Sequence, residues 1–154
     1  MNDSIVRKLQ FKDIDGVRNV DGLTQRRYRG KEWDTFSEEE KEKFMKSRKN
    51  EFEINCKSVF SFVAVKDGEI VGFLFAHENL PFKDGIVVRH IAVHPNFQKK
   101  GIGKKMYGAL IDKAKKEGKK TISSSINPDN MPSIKLHKQV GFRVTDWKHA
   151  SLEL

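Results

Sequence analysis

Cysteine is nearly missing from this chain. Its 154 residues hold one, Cys56. No disulfide can form within the chain, and a reducing, cytoplasmic compartment is expected. No nucleophile elbow or partner motif surrounds Cys56, which reads as a spectator thiol. Long apolar runs are missing too. No stretch approaches the roughly eighteen apolar residues of a membrane-spanning helix, so none is expected. Residues 1–10 carry charges without an apolar core behind them, so no signal peptide is expected. No internal repeat, low-complexity segment or linker interrupts the sequence, and its length suits a single domain over residues 1–154. Zinc-finger spacing and an RNP-like aromatic stripe are both absent, which makes a nucleic-acid partner a weak reading. No metal site is expected.

What the chain does carry is charge and phenylalanine. The net charge is +9 and the pI about 9.6, a balance that favours anionic partners, among them a polyphosphate cofactor. Most of the lysines read as a solvated surface. Hydrophobic content is a modest 37%, but eleven Phe and two Trp add large apolar area per residue.

Taken in order, Ile5 to Phe11 suits a short strand. Asp13 suits an N-cap for a helix from Ile14 to Leu23, weakened by Gly16 and Gly22. Residues 25–33, QRRYRGKEW, are basic and aromatic and read as a loop or a frayed helix end. Ser37 and Glu40 form a capping box ahead of a second helix. Val59 to Val65 and Ile70 to Ala76 are β-branched and aromatic runs around Asp67-Gly68, a hairpin signal. Residues 79–84, with Pro81, read as a loop. Val87 to Val93 suits a mostly apolar strand buried on both faces.

Ile102, Met106, Ala109, Leu110 and Ala114 recur at a helical period, and Gly118 ends that helix. Thr121 to Ile126 suits a Ser-rich strand. A short helix opens near Pro132 and ends at Gly141. Phe142 to Trp147 and Ser151 to Leu154 read as a closing antiparallel pair. The strand–helix–strand unit implies parallel neighbours and the hairpin antiparallel ones, so the sheet is mixed, with helices on its faces.

The segment Gln98-Lys99-Lys100-Gly101-Ile102-Gly103 leads from a strand into a helix. Such a loop gathers backbone N–H groups and the positive end of a helix dipole at one point. Gly101 and Gly103 let an anion approach without a Cβ in the way. Lys99, Lys100, Lys104 and Lys105 add charge there. The spacing fits neither a Walker A loop nor a Rossmann fingerprint. By itself the loop is a generic anion cradle, or a helix start that happens to hold two glycines.

More of the chain joins it. Residues 91–95 (IAVHP), then 98–103 (QKKGIG), then Asn130 and residues 136–142 (LHKQVGF) together resemble the GNAT family of N-acetyltransferases. The likeness is good over roughly residues 59–145 and holds only by element order for the N-terminal helices. It implies an α/β (α+β) fold: a mixed, mostly antiparallel sheet of six to seven strands with a splayed parallel pair and about four helices. It also implies acetyl-CoA as co-substrate, in the gap beside Ile91, Ala92 and Val93. The pyrophosphate would lie on Gln98, Lys99, Lys100, Gly101, Ile102, Gly103 and Lys104, with Asn130 near the pantetheine.

Two positions depart from the family pattern. His137 stands where tyrosine is usual as acid for the leaving thiolate, and imidazolium can do that work near neutral pH. His137 would also touch the cofactor. Arg89 stands where related enzymes often carry a glutamate base. Glu78 is then the first candidate base, with His77, His90 and a water relay as alternatives. Strand alternation puts Arg89 and His90 on opposite faces, so at most one should point at the cleft. Arg89 in the cleft would suit an acceptor with a carboxylate or other anionic group.

The expected activity is transfer of acetyl from acetyl-CoA to a primary amine: a small amine, an amino acid or a protein N-terminus. Residues 25–33 lie where such folds place acceptor-binding loops. The alternative is a non-catalytic CoA-binding or basic nucleic-acid-binding module on the same fold. Either a monomer or a homodimer is compatible.

Overall fold

The structure, a computed structural model, describes residues 3–154, except for the side chains of residues 25–33. Five strands form one sheet in the order β1-β2-β3-β4-β5: Ile5–Lys8, Phe62–Lys66, Glu69–Asn79, Phe82–Val93 and Thr121–Ser124. The first three pairings are antiparallel, and β4 with β5 is parallel. Four α-helices accompany them: α1 Ile14–Thr35, α2 Glu38–Cys56, α3 Ile102–Lys116 and α4 Met131–Gln139.

The alternation of β3 sorts the core into two layers. On one face Leu74 and Ala76 pack with Ile102, Met106, Tyr107 and Leu110 of α3. On the other, Phe73 and Phe75 pack with Val17 and Val20 of α1 and Phe52 of α2. Gly16 is part of this design. A Cβ there would sit 2.5 Å from Ile70 Cγ1, so its hydrogen lets α1 lie close on β3. The hairpin turn falls at Asp67 (φ 51°) and Gly68 (φ 81°), the doubly left-handed turn that suits strand twist. The Ser37–Glu40 capping box forms, with Glu40 N–H on Ser37 Oγ at 3.1 Å and Ser37 N–H on Glu40 Oε2 at 2.7 Å.

Several expectations are corrected. The sheet has five strands, not six to seven. Residues 142–154 form no strand: apolar alternation needs a partner ladder, and Trp147 is 92% exposed. Phe142 is held instead by ring contacts to Tyr107 and His137. The expected loop at residues 79–84 shrinks to Leu80-Pro81, since β3 runs to Asn79 and β4 starts at Phe82. The first helix continues through residues 25–33 to Thr35, so that segment's backbone is the C-terminal part of the helix and not a loop. Its suggested part in acceptor binding concerns side chains outside the described residues. Asp13 is not an N-cap: its carboxylate turns back to the Gln10 N–H and the Arg7 guanidinium, both at 2.8 Å.

Candidate active site

The sheet opens between β4 and β5. Their pairing ends at Val88 with Ser124, although β4 continues five residues further. A β-bulge marks the place: Phe75 faces His90 and Ala76 faces Val88, which leaves Arg89 as the extra residue. Beyond it, the direction of the backbone groups follows from one bond. His94 N–H donates to Val71 O at 2.8 Å, toward β3. Residues alternate along a strand, so the N–H groups of Ile91 and Val93 point the other way, into the gap. Val93 O points there too and accepts from Gln98 Nε2 at 2.9 Å.

The gap widens into a cleft of about 920 Å³, within the range of small-molecule and cofactor sites. The start of α3 forms one wall. Gly101, its N-cap, has φ 79° and gives no side-chain cap, and Lys99 has φ 62°. The first N–H groups of a helix lack intrahelical acceptors, so those of Ile102, Gly103 and Lys104 are available to an anion. Lys99 and Lys104 line the same cleft. Lys100 does not: its ammonium lies 5.3 Å from the centre of the Phe97 ring. Lys105 is drawn away to Asp3 at 2.7 Å. Gly103 is also needed for packing, because a Cβ there would sit 2.8 Å from Leu136 Cδ2 of α4.

α4 supplies the opposite wall. Asn130 is its N-cap, its Oδ1 accepting from Ser133 N–H at 3.2 Å, and it lines the cleft. His137 lines it as well, 1% exposed. Its Nδ1 is 2.7 Å from Ser133 O, so that nitrogen carries the hydrogen. Nε2 then accepts from the Tyr107 hydroxyl at 2.5 Å. Burial lowers the His137 pKa, with the Ser133 bond working against it. Burial likewise raises that of Tyr107, with Ser124 hydrogen bonding opposing. The imidazole is therefore neutral with both nitrogens engaged. In this arrangement it has no free proton for a leaving thiolate.

On the other side of β4, His90 accepts at Nδ1 from Arg48 Nη2 at 3.0 Å. Burial, reinforced by the Arg48 cation, pushes its pKa down to about 4, against a smaller opposing effect of Glu51. Arg48 also pairs with Glu51 at 2.6 Å. Its Nε is 3.2 Å from Asp21 Oδ2, an ion-pair contact without hydrogen-bond alignment.

Both Arg89 and His90 line the cleft, while the His90 ring is turned to Arg48 and to Phe73 and Phe75. The opening lies along the strand's edge, so residues of either face border it. Glu78 is placed elsewhere: it registers with Ile86, short of the bulge, and pairs with Lys119 at 2.6 Å. That pairing holds its carboxyl below the usual range. His77 is not on the cleft wall either. Cys56 is 5% exposed, and burial lifts its thiol to about 11, consistent with an inert role. Among the described residues no cluster of His, Cys, Asp and Glu could hold a metal, and no helix is long and apolar enough to cross a membrane.

Sequence reasoning missed Tyr107, Thr24, Ser124 and the Arg48–Asp21 pair. Tyr107 sits one residue after Met106 on the apolar stripe of α3, so its position was readable and its partner was not. Arg48 and Asp21 lie 27 residues apart on different helices, and no local pattern joins them.

This geometry agrees with comparison to known proteins. The family model described as "Acetyltransferase (GNAT) family" matches residues 26–142, and the chain belongs to that family. It is 37% identical over 86 residues to an L-methionine sulfoximine/L-methionine sulfone acetyltransferase of Salmonella typhimurium, covering 54% of this chain and 50% of the relative. It is 28% identical over 92 residues to an aminoglycoside N(6')-acetyltransferase type 1 of the same organism, covering 56% of this chain and 63% of the relative. The chain thus spans about half the length of the first of these relatives. A PaiA N-acetyltransferase of Thermoplasma acidophilum in complex with coenzyme A has the same fold: TM-score 0.78 at 19% identity, covering 95% of this chain and 93% of that one.

Proposed function

We propose that this chain is an acetyl-CoA-dependent N-acetyltransferase that acts on a primary amine. The single observation carrying the reading is the edge of β4 beyond the bulge. The N–H groups of Ile91 and Val93 face a cleft that ends at the uncapped start of α3. A strand edge left open inside a sheet offers hydrogen bonds to an extended ligand, and a bare helix start suits a pyrophosphate. The names of the two curated relatives, acetyltransferases for an amino-acid analogue and for an aminoglycoside, support the amine acceptor. The cofactor supplies an activated acetyl thioester.

The chain's own residues then do three things. The N–H groups of Ile102, Gly103 and Lys104, with the Lys99 and Lys104 ammoniums, hold the cofactor's phosphates. The N–H groups of Ile91 and Val93 would hold its arm along β4, and an N–H of this stretch would stabilise the oxygen on which charge develops. The cleft brings amine and thioester together, which supplies proximity. Proton traffic runs through water. Among the described cleft residues there is no carboxylate, His90 is neutral with Nδ1 engaged, and both His137 nitrogens are engaged. The acceptor must therefore arrive as the neutral amine or lose its proton to solvent.

The test is thiol release from acetyl-CoA with a panel of amines, run beside acetyl-CoA binding by calorimetry. Binding with amine-dependent release is expected. Binding without release from any amine would favour a CoA-binding module instead, and no binding would end the reading.

A further inference from the structure

The cleft has a second end, where β4 and β5 part. Arg89 is the residue that the bulge inserts there, so no residue of β3 stands opposite it. Its side chain is exposed, lines the cleft, and makes no hydrogen bond or ion pair with a described residue. Described carboxylates beneath β4 and on the neighbouring strand are paired with other cations. Asp21 and Glu51 hold Arg48 beneath β4, and Glu78 holds Lys119. No Asp or Glu is among the described cleft residues. His90, next along the strand, stays neutral and adds no compensating charge of either sign.

A guanidinium unpaired among the described residues, in a cleft without described carboxylates, repels a polycationic acceptor and suits a planar anion, which it can grip with two parallel N–H bonds. Arg89 is two residues from Ile91, about 7 Å of strand. One small molecule can span that distance with its amine at the thioester and its anion at the guanidinium. Resting on the acetyltransferase reading above, we propose that the acceptor is an amine bearing a nearby carboxylate, of the amino-acid class, and that Arg89 binds the carboxylate and sets this specificity.

The experiment compares each common amino acid with its α-carboxamide and with the matching carboxylate-free amine, with kcat/KM corrected for the neutral-amine fraction. Wild-type chain, Arg89→Ala, Arg89→Lys and Arg89→Glu are assayed together. The wild type should prefer at least one acid over its amide by about tenfold to a hundredfold, the range of a charge-assisted pair. Arg89→Ala should erase that preference at unchanged acetyl-CoA KM, and Arg89→Lys should restore it in part. Arg89→Glu should favour the amide. Equal use of acid and amide by the wild type, or an unchanged ratio in Arg89→Ala, would overturn the Arg89 assignment and leave the acetyltransferase reading standing. Acetyl-CoA that neither binds nor turns over with any amine would overturn both.

Discussion

The Tyr107 hydroxyl donates to Nε2 of His137 at 2.5 Å, joining α3 to α4 at the floor of the cleft. Both side chains are at most 1% exposed, and Phe142 packs on both rings. The bond fixes the tautomer of His137, because Nδ1 donates to Ser133 O at 2.7 Å. Removing the hydroxyl strands a buried acceptor. Tyr107→Phe should therefore destabilise the fold by about 1–3 kcal/mol, read by chemical denaturation. An unchanged midpoint and slope would show that the bond contributes nothing.

The proton inventory of the cleft predicts a simple rate profile. With water as the relay, kcat/KM should rise about tenfold per pH unit up to the acceptor's own ammonium pKa and then level. Changing to an acceptor of lower pKa should move the break with it. A break that stays put across acceptors would mean that the protein supplies the base after all. Glu78→Gln should leave turnover as it is, since Lys119 holds Glu78 outside the cleft; loss of turnover would reinstate it.

His90 makes stability depend on pH. Its folded pKa is lowered to about 4 from 6.5, so the unfolded state binds the proton more readily. Stability from this source is complete above about pH 6.5 and is lost as pH falls toward 4, by about 3 kcal/mol in total. His137, also lowered, acts in the same direction. Denaturation at several pH values should show this limb, and His90→Phe should flatten it. A limb of the same size in the variant would assign it to other groups.

Gly101 holds a left-handed conformation at φ 79°, with nothing within 4 Å of where a Cβ would lie. Substitution there tests conformation rather than crowding. Gly101→Val should cost about 1–2 kcal/mol of backbone strain and tilt the N–H groups of the α3 start. Acetyl-CoA affinity measured by calorimetry should fall by at least about tenfold, as expected for one or more charge-assisted hydrogen bonds lost. Unchanged affinity would remove the cradle from the binding site.

Much of this was readable because it is local. Asp67-Gly68 marks its turn, Ser37 and Glu40 mark a helix start, and the spacing from Ile102 to Ala114 marks α3. The parallel β4–β5 pair follows from the crossover helix between them. What could not be read depends on contacts far apart in sequence. Phe142 to Trp147 has strand-like alternation, but only a neighbouring ladder makes a strand. Residues 25–33 carry the polar, aromatic look of a loop, and helix α1 runs through them. The bulge at Arg89 arises from register against Phe75 and Ala76. That one extra residue leaves Arg89 without a partner on β3, and no single-strand pattern announces it. Glu78 lies near the end of β3, yet Lys119, 41 residues later, decides what it does.

The account rests on the open edge of β4, and amide hydrogen exchange followed by NMR, with and without acetyl-CoA, reads that edge directly. The amides of Ile91, Val93, Ile102, Gly103 and Lys104 should exchange at least about tenfold more slowly in the complex, while Ala92 and His94, which face β3, should change far less. Equal protection of both sets, or protection confined to residues outside the β4–β5 cleft, would contradict it.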